Sequence, residues 1–237
     1  MEDAKPPERR EPAKRSSKFF SFFTPHRTIP RLPWTASHRW ELSPIRFVVL
    51  IIGLSIFGLG EALLIQSHIG NSPWSVLAQG IARHTPLSIG EATFAVSAVI
   101  LLLWWPLRER PGFGTIANII VIAAALQVGL AIIPTIHHNL TLSIFFVLAG
   151  IALVGAGSSL YITTGLGPGP RDGLMTSLHH RTGVRVSRVR LAIEIVALTI
   201  GALLGGTLGI GTALFALLIG QSVAINLAVV KGLATPN

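Results

Sequence analysis

Six long apolar segments follow one another along the chain after residue 46. Their hydrophobic residues leave no polar face, which is typical of helices surrounded by lipid or by one another. A helix needs roughly 17–25 residues to cross the hydrocarbon core, so the second and fifth segments require a few flanking residues. The segments comprise residues 47–65, 89–105, 116–133, 142–163, 189–204 and 210–230. This pattern predicts an all-α membrane protein with six transmembrane helices.

The two halves of the chain are related by an internal repeat at an interval of 97 residues. Pro73 aligns with Pro170 in this register. Six glycines also align, Gly53, Gly58, Gly60, Gly70, Gly112 and Gly114 with Gly150, Gly155, Gly157, Gly167, Gly209 and Gly211. We therefore expect two three-helix repeats, each with a turn and a short half-helix after its first span. We expect an N-terminal tail at 1–43, the two repeats at 44–135 and 140–231, and a short C-terminal tail at 232–237.

The distribution of positive charge predicts the orientation of these repeats. Three spans per half is an odd number, so the second half must enter the membrane from the opposite side, as in inverted-repeat transporters. If the N-terminus is cytoplasmic, eighteen of the nineteen Lys and Arg residues lie on the cytoplasmic side and only Arg83 lies outside. This is the asymmetry of the positive-inside rule. Both termini are expected in the cytoplasm, with the protein in the plasma membrane.

The first 43 residues are polar, basic and rich in proline, which predicts a disordered cytoplasmic tail. Its phenylalanines at 19–23 stand beside basic residues and suit contact with anionic lipid, although a tail without a role is an alternative. The formal net charge of +9 would fit nucleic acid, but its concentration in the tail and in one set of loops argues against that partner. The chain lacks cysteine, which excludes disulfides and thiolate chemistry.

Ionisable and polar residues within the spans are candidate ligands for a solute or ion, because charge is costly inside a bilayer. Glu61 lies in the first predicted span. Arg190 and Glu194 are one helical turn apart in the fifth, where a structural ion pair is the alternative. Asn118 and Gln221 are uncharged, and interhelical hydrogen bonds are their default role.

Two turn motifs supply the remaining candidates, and they are partners in the repeat. Their candidate residues are Asn71, Ser72 and Trp74 in the first motif, and Arg171 and Asp172 in the second. Each motif precedes a short helix, whose N-terminus favours anions. Two interpretations remain open, namely paired half-helices that line a binding site and turns at the membrane surface.

The glycines on the first helix of each half are predicted to permit close helix packing in lipid. The alternative is a seam about which the halves move. These packing glycines are Gly53, Gly58, Gly60, Gly150, Gly155 and Gly157.

Four motifs together resemble the YczE-type membrane protein family, which is related to the YitT-like proteins. They lie at 70–80 (GNSPWSVLAQG), 106–115 (PLRERPGFGT), 165–175 (GLGPGPRDGLM) and 209–212 (GIGT). The resemblance implies a multi-pass bacterial membrane protein and brings no defined substrate. Many members carry Asp where this chain has Ser75, which weakens the case for paired carboxylates acting across the two halves.

The sequence favours a transporter-like or permease-like protein for a small polar or anionic solute. It holds no Ser/His/Asp arrangement, phosphate loop or metal-ligand spacing, so we expect no enzyme activity, cofactor or metal. The alternative is a non-transporting regulatory or scaffold protein that uses its basic cytoplasmic surfaces. A polar cavity near Glu61, Asn118 and Gln221 would favour transport, and a filled bundle the alternative. A homo-oligomer is compatible with both.

Overall fold

The computed structural model describes residues 30–136 and 139–234, and all regular structure within these ranges is helical. Nine helices follow one another in this part of the chain. They are α1 (Pro44–Gln66), α2 (Pro73–His84), α3 (Ile89–Leu102), α4 (Trp104–Leu107), α5 (Phe113–Ile132), α6 (Leu140–Thr163), α7 (Pro170–Thr182), α8 (Val186–Leu203) and α9 (Ile210–Ala234).

Five segments in the described ranges are long and apolar enough to cross a membrane. They are α1, α3 together with α4, α5, α6 and α9. The remaining predicted span is α8, which carries Arg188, Arg190 and Glu194 and is not among the five. The predicted all-α membrane protein is therefore confirmed, with five apolar spans and α8 as a sixth long helix.

The helix boundaries follow the repeat interval seen in the sequence. Pro73 and Pro170 begin α2 and α7, 97 residues apart, and proline is well suited to the first turn because it lacks the N–H that would be unpaired there. The turns before these helices depend on Gly70 and Gly167, whose φ angles of 124° and 120° favour glycine. The starts of α3 and α8, and those of α5 and α9, are also 97 residues apart.

The first helices of the two halves, α1 and α6, cross at glycines, which let their backbones approach closely. A Cβ atom on Gly53 would lie 3.1 Å from the carbonyl oxygen of Gly157, and one on Gly60 would lie 2.8 Å from that of Gly150. Residue numbers rise along α1 as they fall along α6, so the two helices run antiparallel. The contacts are also reciprocal, because Gly53 and Gly150, like Gly60 and Gly157, are partners in the repeat.

The other two glycines of the predicted packing set join each first helix to the last helix of its own half. A Cβ on Gly58 would meet Ala125 of α5, and one on Gly155 would meet Ser222 of α9. Ala125 and Ser222 are again 97 residues apart in the chain. All six predicted packing glycines therefore lie at close helix contacts.

Backbone hydrogen bonds tie each half to the turn of the other. The N–H of Gly114, at the start of α5, donates to the carbonyl oxygen of Leu166 at 2.9 Å. The N–H of Gly211, at the start of α9, donates to the carbonyl oxygen of Ile69 at 2.8 Å. Both donors lie in the first turn of a helix, where the N–H groups have no partner within the helix. These reciprocal bonds fix the positions of the two turns that precede α2 and α7.

The short helices also pack across the halves. The backbone of Leu77 in α2 lies against Gly201 of α8. In the equivalent contact, the ring of Trp104 lies against Gly173 of α7, and its indole N–H donates to the carbonyl oxygen of Pro170 at 3.0 Å. Each half-helix is therefore held in the protein interior by the other half.

Residues 30–43, which we expected to belong to a disordered tail, instead pack against the end of α6. Leu32 is buried, and the N–H of Ala36 donates to the carbonyl oxygen of Thr164 at 2.8 Å. Hydrogen bonds from the side chain and N–H of Ser37, aided by Arg46, lower the pKa of Glu41 to about 2. The rest of the predicted N-terminal tail, residues 1–29, lies outside the described residues. Of the C-terminal tail predicted at 232–237, residues 232–234 instead continue α9, and 235–237 lie outside the described residues.

The crossing of α1 and α6 can be tested by adding one methyl group. A Cβ on Gly157 would lie 2.5 Å from the carbonyl oxygen of Gly53 and 2.6 Å from the nitrogen of Phe57, so backbone must move. We expect Gly157→Ala to cost about 1–3 kcal/mol, as overpacked cores do, and to lower the thermal unfolding temperature in detergent.

The matched control is Gly232→Ala in α9, where a Cβ would meet nothing within 4 Å. This variant should unfold at or slightly above the wild-type temperature, because alanine is the better helix former. Equal unfolding temperatures for the two variants would contradict the close crossing.

Candidate functional site

A cavity of about 310 Å³ lies between the two halves. Its wall contains residues from α1, α2, α3 and α5 of the first half and from α6, α7, α8 and α9 of the second. This volume lies near the lower limit of small-molecule sites. The cavity therefore has the size and the position of a site for one small solute.

Eight of the ten candidate residues line this cavity. They are Glu61, Ser72, Trp74, Asn118, Arg171, Asp172, Arg190 and Glu194. The structure places the other two elsewhere. Asn71 is fully buried, and its Nδ2 donates to the Oε1 of Gln79 at 3.0 Å. Gln221 is exposed on α9, one residue beyond the lining Gly220 and hence about 100° further round the helix.

Glu61 is held by the N-terminal turn of α2. It is only 3% exposed, and the hydroxyls of Ser72 and Ser75 donate to its Oε2 at 2.7 and 2.5 Å. The Oγ of Ser72 also caps α2 by accepting from the N–H of Ser75 at 3.4 Å. Pro73 begins the helix between these two serines and so brings both hydroxyls to Glu61. The Oε1 of Glu61 accepts no hydrogen bond from any residue in the described ranges.

Arg171 stacks on Trp74, the residue at the equivalent position of the first half. Its guanidinium carbon lies 4.9 Å from the centre of the Trp74 ring, a cation–π arrangement, and the two residues are 97 positions apart. Within residues 30–136 and 139–234, Arg171 has neither a hydrogen-bond partner nor an ion pair. Its guanidinium N–H groups are therefore unpaired within these ranges, and each of them can donate a hydrogen bond.

The other charged groups of the cavity have protein partners. The hydroxyl of Tyr161 donates to Asp172 at 2.6 Å, which joins α6 to α7. In α8, the Nε of Arg190 lies 2.8 Å from the Oε1 of Glu194, so the predicted ion pair is present. Tyr161 was not among the predicted site residues. It is the one tyrosine in the sequence and lies inside a predicted apolar span, and a polar hydroxyl in that position could have marked it as a candidate.

Three pairs of polar residues in equivalent positions line the cavity and differ in chemistry. Glu61 faces it from α1 and Ser158 from the equivalent position of α6. On α3 and α8 the pairs are Thr93 with Arg190 and Ser97 with Glu194. Each pair combines an ionisable residue with a hydroxyl. The two walls of the cavity, one from each half, therefore differ in chemistry at these positions.

The charged groups do not form a metal site. No group of three or more His, Asp or Glu residues in the described ranges could hold a metal ion.

Comparison with known proteins supports the expected relationship. A family of unknown function, DUF6198, has a model that matches residues 44–227. An uncharacterized protein of Haemophilus influenzae is 42% identical over 209 residues, covering 87% of this chain and 94% of the relative. The uncharacterized membrane protein YczE of Bacillus subtilis is 32% identical over 178 residues, covering 74% and 82%. No solved structure matches the chain. The resemblance to the YczE-type family is confirmed.

Accessibility of the cavity can be tested with two neighbouring serines. Ser158 lines it, whereas Ser159 is 0% exposed and donates to the carbonyl oxygen of Gly155 at 2.8 Å. In a chain without native cysteine, we expect Ser158→Cys in detergent to react with a small methanethiosulfonate reagent. Ser159→Cys should react at least about ten-fold more slowly, because thiolate reactivity requires access. Labelling measured by mass spectrometry tests this, and faster reaction at Ser159→Cys would contradict the cavity.

Proposed function

The chain belongs to the family of unknown function DUF6198, and we propose that it is a six-span, inverted-repeat membrane protein that moves a small polar solute through its central cavity. The observation that carries this proposal is the cavity itself. It lies between the two halves, and both half-helices and five charged side chains reach it. Substrate sites at the interface of inverted repeats, formed by discontinuous helices, are a recurring design of secondary transporters.

The inverted relationship between the halves is supported by their contacts. The first helices cross antiparallel, and their glycine contacts are repeated with the roles exchanged, as at Gly53 with Gly157 and Gly60 with Gly150. Such exchange is the property of a two-fold axis. An axis that reverses the direction of a membrane-spanning helix must lie in the membrane plane.

The sixth span of this arrangement is α8. Its charges count against membrane insertion only if they face lipid, since charged residues in spans normally face a cavity or a partner. Arg190 and Glu194 line the cavity and pair with each other. The span α8 is also the repeat partner of α3, which lies within an apolar span.

The cavity also argues against the alternative of a regulatory or scaffold protein. A protein of that kind is expected to have a tightly filled helix bundle and to carry its functional residues on the cytoplasmic surface. Here the structure instead buries Glu61 and leaves the guanidinium of Arg171 without a hydrogen bond or ion pair in the described ranges. Burial of charge in a membrane is costly and is rarely retained without a function.

The orientation can be tested with a pair of repeat partners. Thr85 follows α2 and Thr182 ends α7, both are exposed, and they are 97 residues apart. In cells, we expect a membrane-impermeant maleimide to label Thr85→Cys from outside and Thr182→Cys only after permeabilisation. Their opposite behaviour follows from the inverted topology. Labelling of both from the same side would contradict it.

Transport can be tested without knowing the solute, because a transporter must open its site to each side in turn. The Ser158→Cys protein is reconstituted into vesicles in a single orientation. An impermeant thiol reagent is then added to one face of the membrane or, in a parallel sample, to the other. We expect reaction from both faces, with Ser159→Cys as the buried control. Reaction from one face alone would favour the scaffold reading. Thiol modification is followed by mass spectrometry.

A further inference from the structure

Arg171 is the one charged residue of the cavity wall with no hydrogen bond or ion pair to any residue in the described ranges. The ring of Trp74 holds the guanidinium by stacking, which leaves its edge of N–H donors free. A planar guanidinium fixed in this way binds a carboxylate or a similar oxyanion through two parallel hydrogen bonds. The anionic part of a solute is therefore expected at Arg171.

The charges around Arg171 exclude a solute that is only anionic. Three carboxylates, of Glu61, Asp172 and Glu194, line the cavity against the guanidinium groups of Arg171 and Arg190. The cavity thus carries one formal negative charge before any solute enters. A second uncompensated negative charge beside these carboxylates is unfavourable, because like charges repel at short range. The solute must bring a cationic group as well.

Glu61 is the carboxylate suited to that cationic group. Glu194 is paired with Arg190, and Asp172 accepts from Tyr161. Glu61 lines the same cavity as Arg171 and makes no ion pair with it in the described ranges. Two serine hydroxyls occupy its Oε2 and leave Oε1 without a partner among the described residues. A space that separates a fixed guanidinium from a fixed carboxylate is the complement of a molecule with both charges.

We propose that the cavity binds a small zwitterion, with its anionic group on the guanidinium of Arg171 and its cationic group at the carboxylate of Glu61. The inference rests on the proposed function, because it names the solute class of the same cavity. Equivalent positions carry Trp74 for Arg171 and Ser158 for Glu61, so each charge has one location. The solute therefore has one orientation in the site.

Binding of small probes to the purified full chain in detergent tests the class directly. The zwitterions are glycine, β-alanine and γ-aminobutyrate, whose charges are increasingly far apart. Propionate and propylamine carry one charge each. By calorimetry, we expect at least one zwitterion to bind about ten-fold or more tightly than either singly charged probe, because each end adds a charge-assisted hydrogen bond. Equal or tighter binding of propionate or propylamine, or binding of no zwitterion, would overturn the proposal.

Variants of Arg171 and Glu61 assign the ends of the solute. Arg171→Gln should weaken binding of the tightest-binding zwitterion by about ten-fold or more. Arg171→Lys should weaken it less, since lysine retains the charge but lacks the planar guanidinium. Glu61→Gln removes the excess negative charge and should let propionate bind as well as the zwitterion. Arg188→Gln, on the exposed side of α8, is the control and should bind as wild type does. Unchanged zwitterion binding by both Arg171 variants would overturn the assignment.

The same preparations separate this inference from the proposed function. Two-sided modification of Ser158→Cys without any zwitterion binding would leave transport in place and reject the solute class. Zwitterion binding with modification from one face only would support the site and reject transport. Each protein is first shown to elute as a single folded species.

Discussion

The close antiparallel crossing of α1 and α6 is the contact on which the rest of the structure depends. Glycine at four positions removes every side chain that would separate the two backbones there. With no hydrophobic driving force between helices in lipid, such close packing is what holds spans together. The crossing also brings Glu61 and Ser158, in equivalent positions of the two helices, to one cavity. A larger residue at the seam would therefore disturb both stability and site.

The two half-helices follow from the same geometry. Gly70 and Gly167 turn the chain back after each first helix, and the carbonyl oxygens just before them accept hydrogen bonds from the opposite half. These bonds satisfy backbone groups that lipid could not. They also place the beginnings of α2 and α7 at the cavity. As a result, Trp74 and Arg171 meet, although neither half alone could bring them together.

The fold was largely predictable because its determinants are local. Apolar runs define the spans, and glycine and proline mark each turn, so Pro73 and Pro170 were expected to begin short helices. The direction in which a side chain points was harder to predict, because a polar residue in a span can point toward the interior or away from it. Gln221 was predicted to line the site, but it is exposed on the outside of α9. The bond between Tyr161 and Asp172 depends on the shape of a turn that spacing alone does not specify.

A structure determined in a lipid nanodisc would show how the two halves of the protein are related. The quantity is the rotation that superposes the second three-helix unit on the first. The inverted repeat predicts a two-fold rotation about an axis in the membrane plane, with α8 crossing the bilayer and the guanidinium of Arg171 over the ring of Trp74 at the centre. An axis along the membrane normal, or a different helix order in the two halves, would contradict it.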